Sequence, residues 1–266
     1  SQLGCRGRSE MIRSARAFLD NTVELSQLNI DGNCAERIVP KGLQPQYQSV
    51  PYKWGGRDSP VGFNEAMAEG KAAGDVARRD GPGLACAAGV DCSGLVGHAW
   101  GLGGRDLWNM GTTTMHNYTT EIPAGELPKP GDALNKVNSH TVMVADSVDA
   151  AGAMFIESTG DNSSDRVVYR RYDWAKFAGW ERRRFNNVCT AAARPGAFSL
   201  LTVGAACAAG SPQVVLTWGA SQDAATYAVL RDNAVVVAGV AATTAKDTTV
   251  ASGASYRYFV RARNAA

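Results

Sequence analysis

Val90-Asp91-Cys92-Ser93-Gly94-Leu95-Val96 is the stretch from which the rest of the chain can be read. Cys92 opens a predicted helix running to Trp100, with Cys92, Leu95, Val96, Ala99 and Trp100 on one side. Free backbone N–H groups and the positive dipole end gather at a helix start. Both favour a reactive thiolate, and the same N–H groups can hold an oxyanion. Gly94 leaves room for a substrate backbone. The competing reading is a structural cysteine, buried or joined to Cys86.

A thiol nucleophile needs a base, and the chain has three histidines. His98 lies six positions after Cys92 on the same helix, so its side chain projects elsewhere and reads as a surface or core histidine. His116 sits in a Thr-rich segment without periodicity and reads as a loop residue. His140 opens the predicted strand Thr141–Ala145, and a rigid strand end is a good mount for a general base. The second ring nitrogen must be held, usually by a carboxylate or amide. Glu157, in the next strand, meets His140 directly if the hairpin loop spans about Asp146 to Ala151. A tighter turn would bring Asp161 there instead. The expected catalytic set is therefore Cys92, His140 and Glu157, with Asp161 as runner-up.

Outward from this core, Ser9 to about Gln27 reads as a helix capped by Ser9, with Met11, Ile12, Ala15, Phe18, Leu19 and Val23 at helical spacing. Phe63 to Arg79 reads as a second helix, interrupted by Gly70 and Gly74. Short strands are expected at Thr141–Ala145, Met154–Ser158 and Arg166–Tyr172. Helices followed by an antiparallel meander imply an α+β domain. Composition changes near Asn186. Beyond Gly196 the chain is rich in Ala, Val, Thr and Gly and reads as strands at Gln213–Trp218, Ala225–Arg231, Ala234–Ala238 and Ser255–Arg261, with a hairpin turn at Asp232-Asn233. The expected organisation is a catalytic domain over 1–188, a linker over 189–195 and an all-β sandwich over 196–266.

With 266 residues, 45% hydrophobic content and a net charge of +2, the chain can build real cores and shows no charge bias demanding nucleic acid. No apolar run is long enough for a membrane span. The start, Ser1-Gln2-Leu3-Gly4-Cys5, lacks the pattern of a secretion signal, which leaves a cytosolic protein or a processed one. The six cysteines favour the latter. No pair has zinc-type spacing, and Cys5–Cys34 and Cys189–Cys207 are the candidate disulfides of a secreted or wall-associated chain. A monomer with no cofactor and no metal is expected.

Four motifs carry a resemblance: Pro51-Tyr52-Lys53-Trp54-Gly55-Gly56, Asp91-Cys92-Ser93-Gly94-Leu95-Val96, Leu127-Pro128-Lys129-Pro130-Gly131-Asp132 and Ser139-His140. In this order they look like those of NlpC/P60 cell-wall cysteine peptidases, over about Tyr47 to Phe185. The resemblance implies a papain-like fold and hydrolysis of peptidoglycan stem peptides, typically between a γ-linked D-glutamate and diaminopimelate or lysine. It also implies Cys92 as nucleophile and His140 as base. Tyr52 would line the site beside the thiol, Asp91 and Ser93 would contact the stem peptide's amino end, and Trp54, in the Tyr52 motif, is a further substrate-side candidate. Three features depart from the pattern: a long stretch between Gly56 and Asp91, an N-terminal region without counterpart, and a glutamate where the family usually has His, Asn or Gln. A glutamate there is more like the CHAP amidohydrolases, so N-acetylmuramoyl-L-alanine amidase activity is the alternative. An inert wall-binding protein and a secreted toxin acting on proteins are more distant readings. The C-terminal region resembles a fibronectin type III module through Leu216-Thr217-Trp218, Tyr227–Asp232 and Tyr256–Ala262, and stops before the last strand such a module normally has.

Overall fold

The structure is a computed structural model that describes residues 5–32, 34–81, 83–160, 164–189, 198–208, 210–221 and 224–263. The chain divides into two units, Ser1–Cys189 and Thr190–Ala266. It mixes helices with a larger share of strand, and no helix of the described residues is long and apolar enough to cross a membrane.

In the first unit, α1 (Arg8–Leu19) buries Met11, Ala15 and Phe18, one turn apart. It begins after Gly7, not at a Ser9 cap, and ends at Asp20 rather than running to Gln27. Next come β1 (Thr22–Glu24), α2 (Gln27–Asp31), closed by a Ser26–Asn29 capping box, and β2 (Gln46–Gln48), which pairs with β1. The helix expected over Phe63–Arg79 is only α3 (Pro60–Ala68). Gly70 and Gly74 adopt φ of +80° and +70°, conformations that end a helix and turn the chain. Two short strands, β3 (Ala72–Ala73) and β4 (Ala87–Ala88), pair in parallel beyond it.

The helix starting at Cys92 follows as α4 (Cys92–Ala99), then α5 (Gly104–Asn109). The main sheet is built from β5 (Thr119–Glu121), β6 (Ala133–Lys136), β7 (His140–Asp146), β8 (Gly152–Thr159), β9 (Arg166–Asp173) and β10 (Glu181–Phe185), in the order β5-β10-β6-β7-β8-β9. Its centre is apolar on both faces, as alternation along β7 requires. Met143 and Ala145 join Leu95, Val96 and Trp100 of the helical layer. Val142 and Val144 pack on the other side with Leu134, Phe155 and Phe177.

The disulfides correct the expected pairing. They are Cys5–Cys189 and Cys34–Cys86, with Cα atoms 4.7 and 5.6 Å apart, so Cys5–Cys34 and Cys189–Cys207 do not form. The reason is tertiary. Arg6 pairs in parallel with Val188, its amide donating to Asn187 O (2.8 Å) while the Cys189 amide donates to Arg6 O (2.9 Å), which sets Cys5 beside Cys189. Cys34, Ala72 and Ala87 form a small apolar cluster that seats Cys86 against Cys34. The cysteines left free are Cys92, buried, and Cys207, exposed.

The second unit has two three-stranded sheets. One is β11 (Leu200–Ala208), β12 (Ser211–Trp218) and β15 (Thr244–Asp247); the other is β14 (Ala234–Val240), β13 (Thr226–Arg231) and β16 (Tyr258–Arg263). Leu216, Trp218, Tyr227, Val229 and Ala245 form the core. Asp232 and Asn233, at φ of +49° and +70°, make the two-residue turn between β13 and β14. Residues 190–195 of the expected linker lie outside the described residues.

Candidate active site

Asp91 is the N-cap of α4. Its Oδ1 accepts from the Gly94 amide (2.6 Å) and from the Ser93 hydroxyl (2.9 Å), and its carbonyl accepts from the Leu95 amide (3.0 Å). The amides of Cys92 and Ser93 precede the first intrahelical bond, so the fold leaves them available to an anion. Cys92 therefore stands where the helix N-terminus stabilises negative charge.

The candidate base is delivered by β7. His140 forms a hydrogen bond through Nε2 with Glu157 Oε2 at 2.7 Å, and its ring interacts electrostatically with Cys92 at the start of α4. With Nε2 engaged by the carboxylate, Nδ1 is the nitrogen left for the sulfur. Burial alone would lower the His140 pKa, but the bonds and charges of Cys92 and Glu157 outweigh it and raise it to about 10. Glu157 is 5% exposed. Burial pushes its pKa up, yet the hydrogen bonds from His140 and from the Tyr172 hydroxyl leave it below the usual range. Tyr172 is itself raised to about 12, by burial and by Glu157. The Trp180 ring meets His140 edge-on, with centroids 6.2 Å apart.

The direct His140–Glu157 pairing expected from the loop does not occur. Met143 pairs with Ile156 and Val144 with Phe155, and the register shifts between Val144 and Asp146. Continued along the strands, this sets Glu157 across from Val142, one same-face step from His140. Diagonal neighbours of this kind lie within reach of long side chains, and Glu157 spans the gap. Asp161 lies outside the described residues.

A cleft of about 410 Å³ opens at Cys92, lined by Tyr52, Trp54, Asp91 and Ser93 among others, so all four substrate-side candidates face one space. Tyr52 is pinned by its amide to Asp165 O (2.8 Å) and packs against Gly160, where an added Cβ would come within 3.0 Å of its ring. Burial and the nearby negative charges of Cys92 and Asp91 raise its pKa strongly. Asp91 and Ser93 line the cleft, but the bonds above already commit much of their capacity to the helix start. His98 stands apart: its Nε2 meets Arg57 O at 2.8 Å, and burial lowers its pKa. His116 is exposed on a short turn. Among the described residues no group of three or more His, Cys, Asp or Glu is placed to hold a metal ion.

Two contributors escape the sequence pattern. Tyr172 is a strand tyrosine with nothing local to mark it. Arg57 donates four hydrogen bonds, from Nε to Leu107 O, from Nη1 to Gly56 O and from Nη2 to Ser93 Oγ and Met110 O, and Nη1 forms an ion pair with Asp91 Oδ2. Its side chain is 9% exposed. It ties the loop after Gly56, the start of α4 and the end of α5 together, an arrangement that spacing along the chain cannot reveal.

The geometry carries a pH prediction. Activity that needs the ring proton is lost as pH rises through the His140 pKa, and any stability gained from its raised value disappears over the same alkaline range. Glu157→Gln removes one of the charges holding that proton. The alkaline limb of a pH–rate profile should move to lower pH, with turnover down about tenfold or more. An unmoved limb would separate Glu157 from the base.

Compared with known proteins, the chain matches no family model and no curated protein sequence.

Proposed function

We propose that this chain is a cysteine peptidase that hydrolyses amide bonds in peptidoglycan stem peptides, of the γ-D-glutamyl to diaminopimelate or lysine type. The observation that carries the reading is the His140–Glu157 pair, whose ring interacts electrostatically with Cys92, together with the open cleft that Cys92 lines. Proton transfer from the thiol to the ring, held by Glu157, leaves a thiolate at the tip of α4. Its attack on the amide carbonyl forms a C–S bond, with the oxyanion directed at the helix-start amides. His140 then protonates the departing amine as the C–N bond breaks. Water, activated by the neutral ring, hydrolyses the thioester and returns the thiol.

The four ordered motifs that resemble the NlpC/P60 peptidases supply the substrate class, and their residues Tyr52, Trp54, Asp91, Cys92 and Ser93 gather at one cleft. A papain-like catalytic unit and a fibronectin type III-like C-terminal module belong to the same reading. Two disulfides in the catalytic unit favour an oxidising, extracytoplasmic setting. Glu157 as third residue favours one alternative, the N-acetylmuramoyl-L-alanine amidase, which shares the catalytic pair and differs in product.

Mass spectrometry of purified sacculi after digestion decides between them. A cut within the stem, absent with Cys92→Ala, is the expected result. Intact free stem peptides would establish the amidase, and lysis by Cys92→Ala would remove the mechanism altogether.

A further inference from the structure

The segment between Gly56 and Asp91 supplies one wall of the cleft, and the charges it brings are not all spent on the fold. The charged residues lining the cleft are Arg57, Arg78, Arg79, Asp80 and Asp91. Arg57 and Asp91 are paired with each other. Arg79 is engaged by the fully buried Asp75 and by Glu36. Arg78 and Asp80 remain, and among the described residues neither takes part in an ion pair.

Arg78 is nevertheless held in place. Its guanidinium lies over the Trp54 ring, 5.6 Å from the centroid, and Nη2 donates to Asn138 O at 3.3 Å. The aromatic ring and the Asn138 carbonyl hold the guanidinium at the cleft wall, and a guanidinium fork is a group that recognises carboxylates. The backbone beneath is fixed by Asp75, whose Oδ1 accepts from the Ile38 and Ala77 amides and whose Oδ2 accepts from Arg79 Nε. The Cys34–Cys86 bridge anchors the far end of the segment. Asp80, two positions on, brings a carboxylate to the same wall.

We propose that Arg78 and Asp80 form a subsite for a side chain ending in a paired carboxylate and ammonium, as the side chain of diaminopimelate does. This deepens, and rests on, the stem-peptide reading of the site. Arg78 takes the carboxylate and Asp80 the ammonium. A lysine at the same position of the stem offers only the ammonium and leaves Arg78 without its partner. The subsite thus selects diaminopimelate-type over lysine-type stems.

Binding to the Cys92→Ala protein tests this without turnover. Titrations followed by NMR would use two synthetic peptides, L-Ala-γ-D-Glu-meso-diaminopimelate and L-Ala-γ-D-Glu-L-Lys. One charge-assisted contact in a partly solvated cleft should favour the first by about tenfold. Adding Arg78→Ala, at an exposed position, should bring the diaminopimelate peptide down to the level of the lysine peptide. Equal binding of the two peptides, binding of neither, or a preference that survives Arg78→Ala would each overturn the subsite. Cleavage by the unmodified protein is scored separately. Arg78-dependent binding without cleavage keeps the subsite and removes the peptidase reading, whereas cleavage without preference does the reverse.

Discussion

Replacing His140 by alanine should lower turnover of the stem peptide by about 10⁴-fold or more, because the thiol loses its base and the leaving amine its proton donor. The same variant should change the chemistry of Cys92 in a way that loss of packing would not. In the parent protein, Cys92 should react with iodoacetamide rapidly near neutral pH. In His140→Ala the rate should fall and recover only in the alkaline range of an unassisted thiol, around pH 8.5. Cys207, exposed in the other unit, serves as an internal control whose labelling is unaffected. Peptide mapping reads both sites in one sample. The substitution is tolerable for folding, since His140 sits at a strand end with its side chain 24% exposed. Unchanged labelling of Cys92, or turnover within about tenfold of the parent, would dissolve the proposed pair.

Much of this pair was written locally. Asp91-Cys92-Ser93-Gly94 encodes its own helix start, since an aspartate at the N-cap and a following run of Leu95, Val96 and Ala99 need no distant partner to be read. The strand bearing His140 is equally plain, with β-branched and apolar residues buried on both faces. The failures share a cause: each depended on a backbone or tertiary choice that residue spacing leaves open. Helicity after Phe63 ended where Gly70 and Gly74 took positive φ. The hairpin register was displaced by an irregularity between Val144 and Asp146, which spacing cannot locate, although the length of Glu157 absorbed the difference. Disulfide pairing followed the Arg6–Val188 bridge and the Cys34 cluster rather than closeness in sequence. Arg57 had no signature at all, because its acceptors Leu107 and Met110 lie 50 and 53 positions away.

Arg57 should therefore be the residue whose loss most damages the site without touching substrate chemistry. Arg57→Met keeps the aliphatic bulk but leaves Asp91, 8% exposed, as a buried carboxylate without its counter-charge. It also leaves the carbonyls of Leu107 and Met110 without their donors. Removing one partner of a buried ion pair costs about 3–5 kcal/mol. In a unit of this size that is a fall of roughly 10 °C in the midpoint of its thermal transition. Arg57→Lys restores the charge without the planar fork and should recover only part of that loss. The double variant Arg57→Met with Asp91→Asn separates the charge effect from the rest. If the penalty comes from an uncompensated carboxylate, the double variant is more stable than Arg57→Met alone, and the asparagine side chain still serves as a competent helix cap. If the guanidinium matters mainly through the loop carbonyls, the second substitution recovers nothing. A midpoint unchanged within a degree or two in Arg57→Met would mean that the start of α4, and with it the placement of Cys92, is held by packing rather than by this hub.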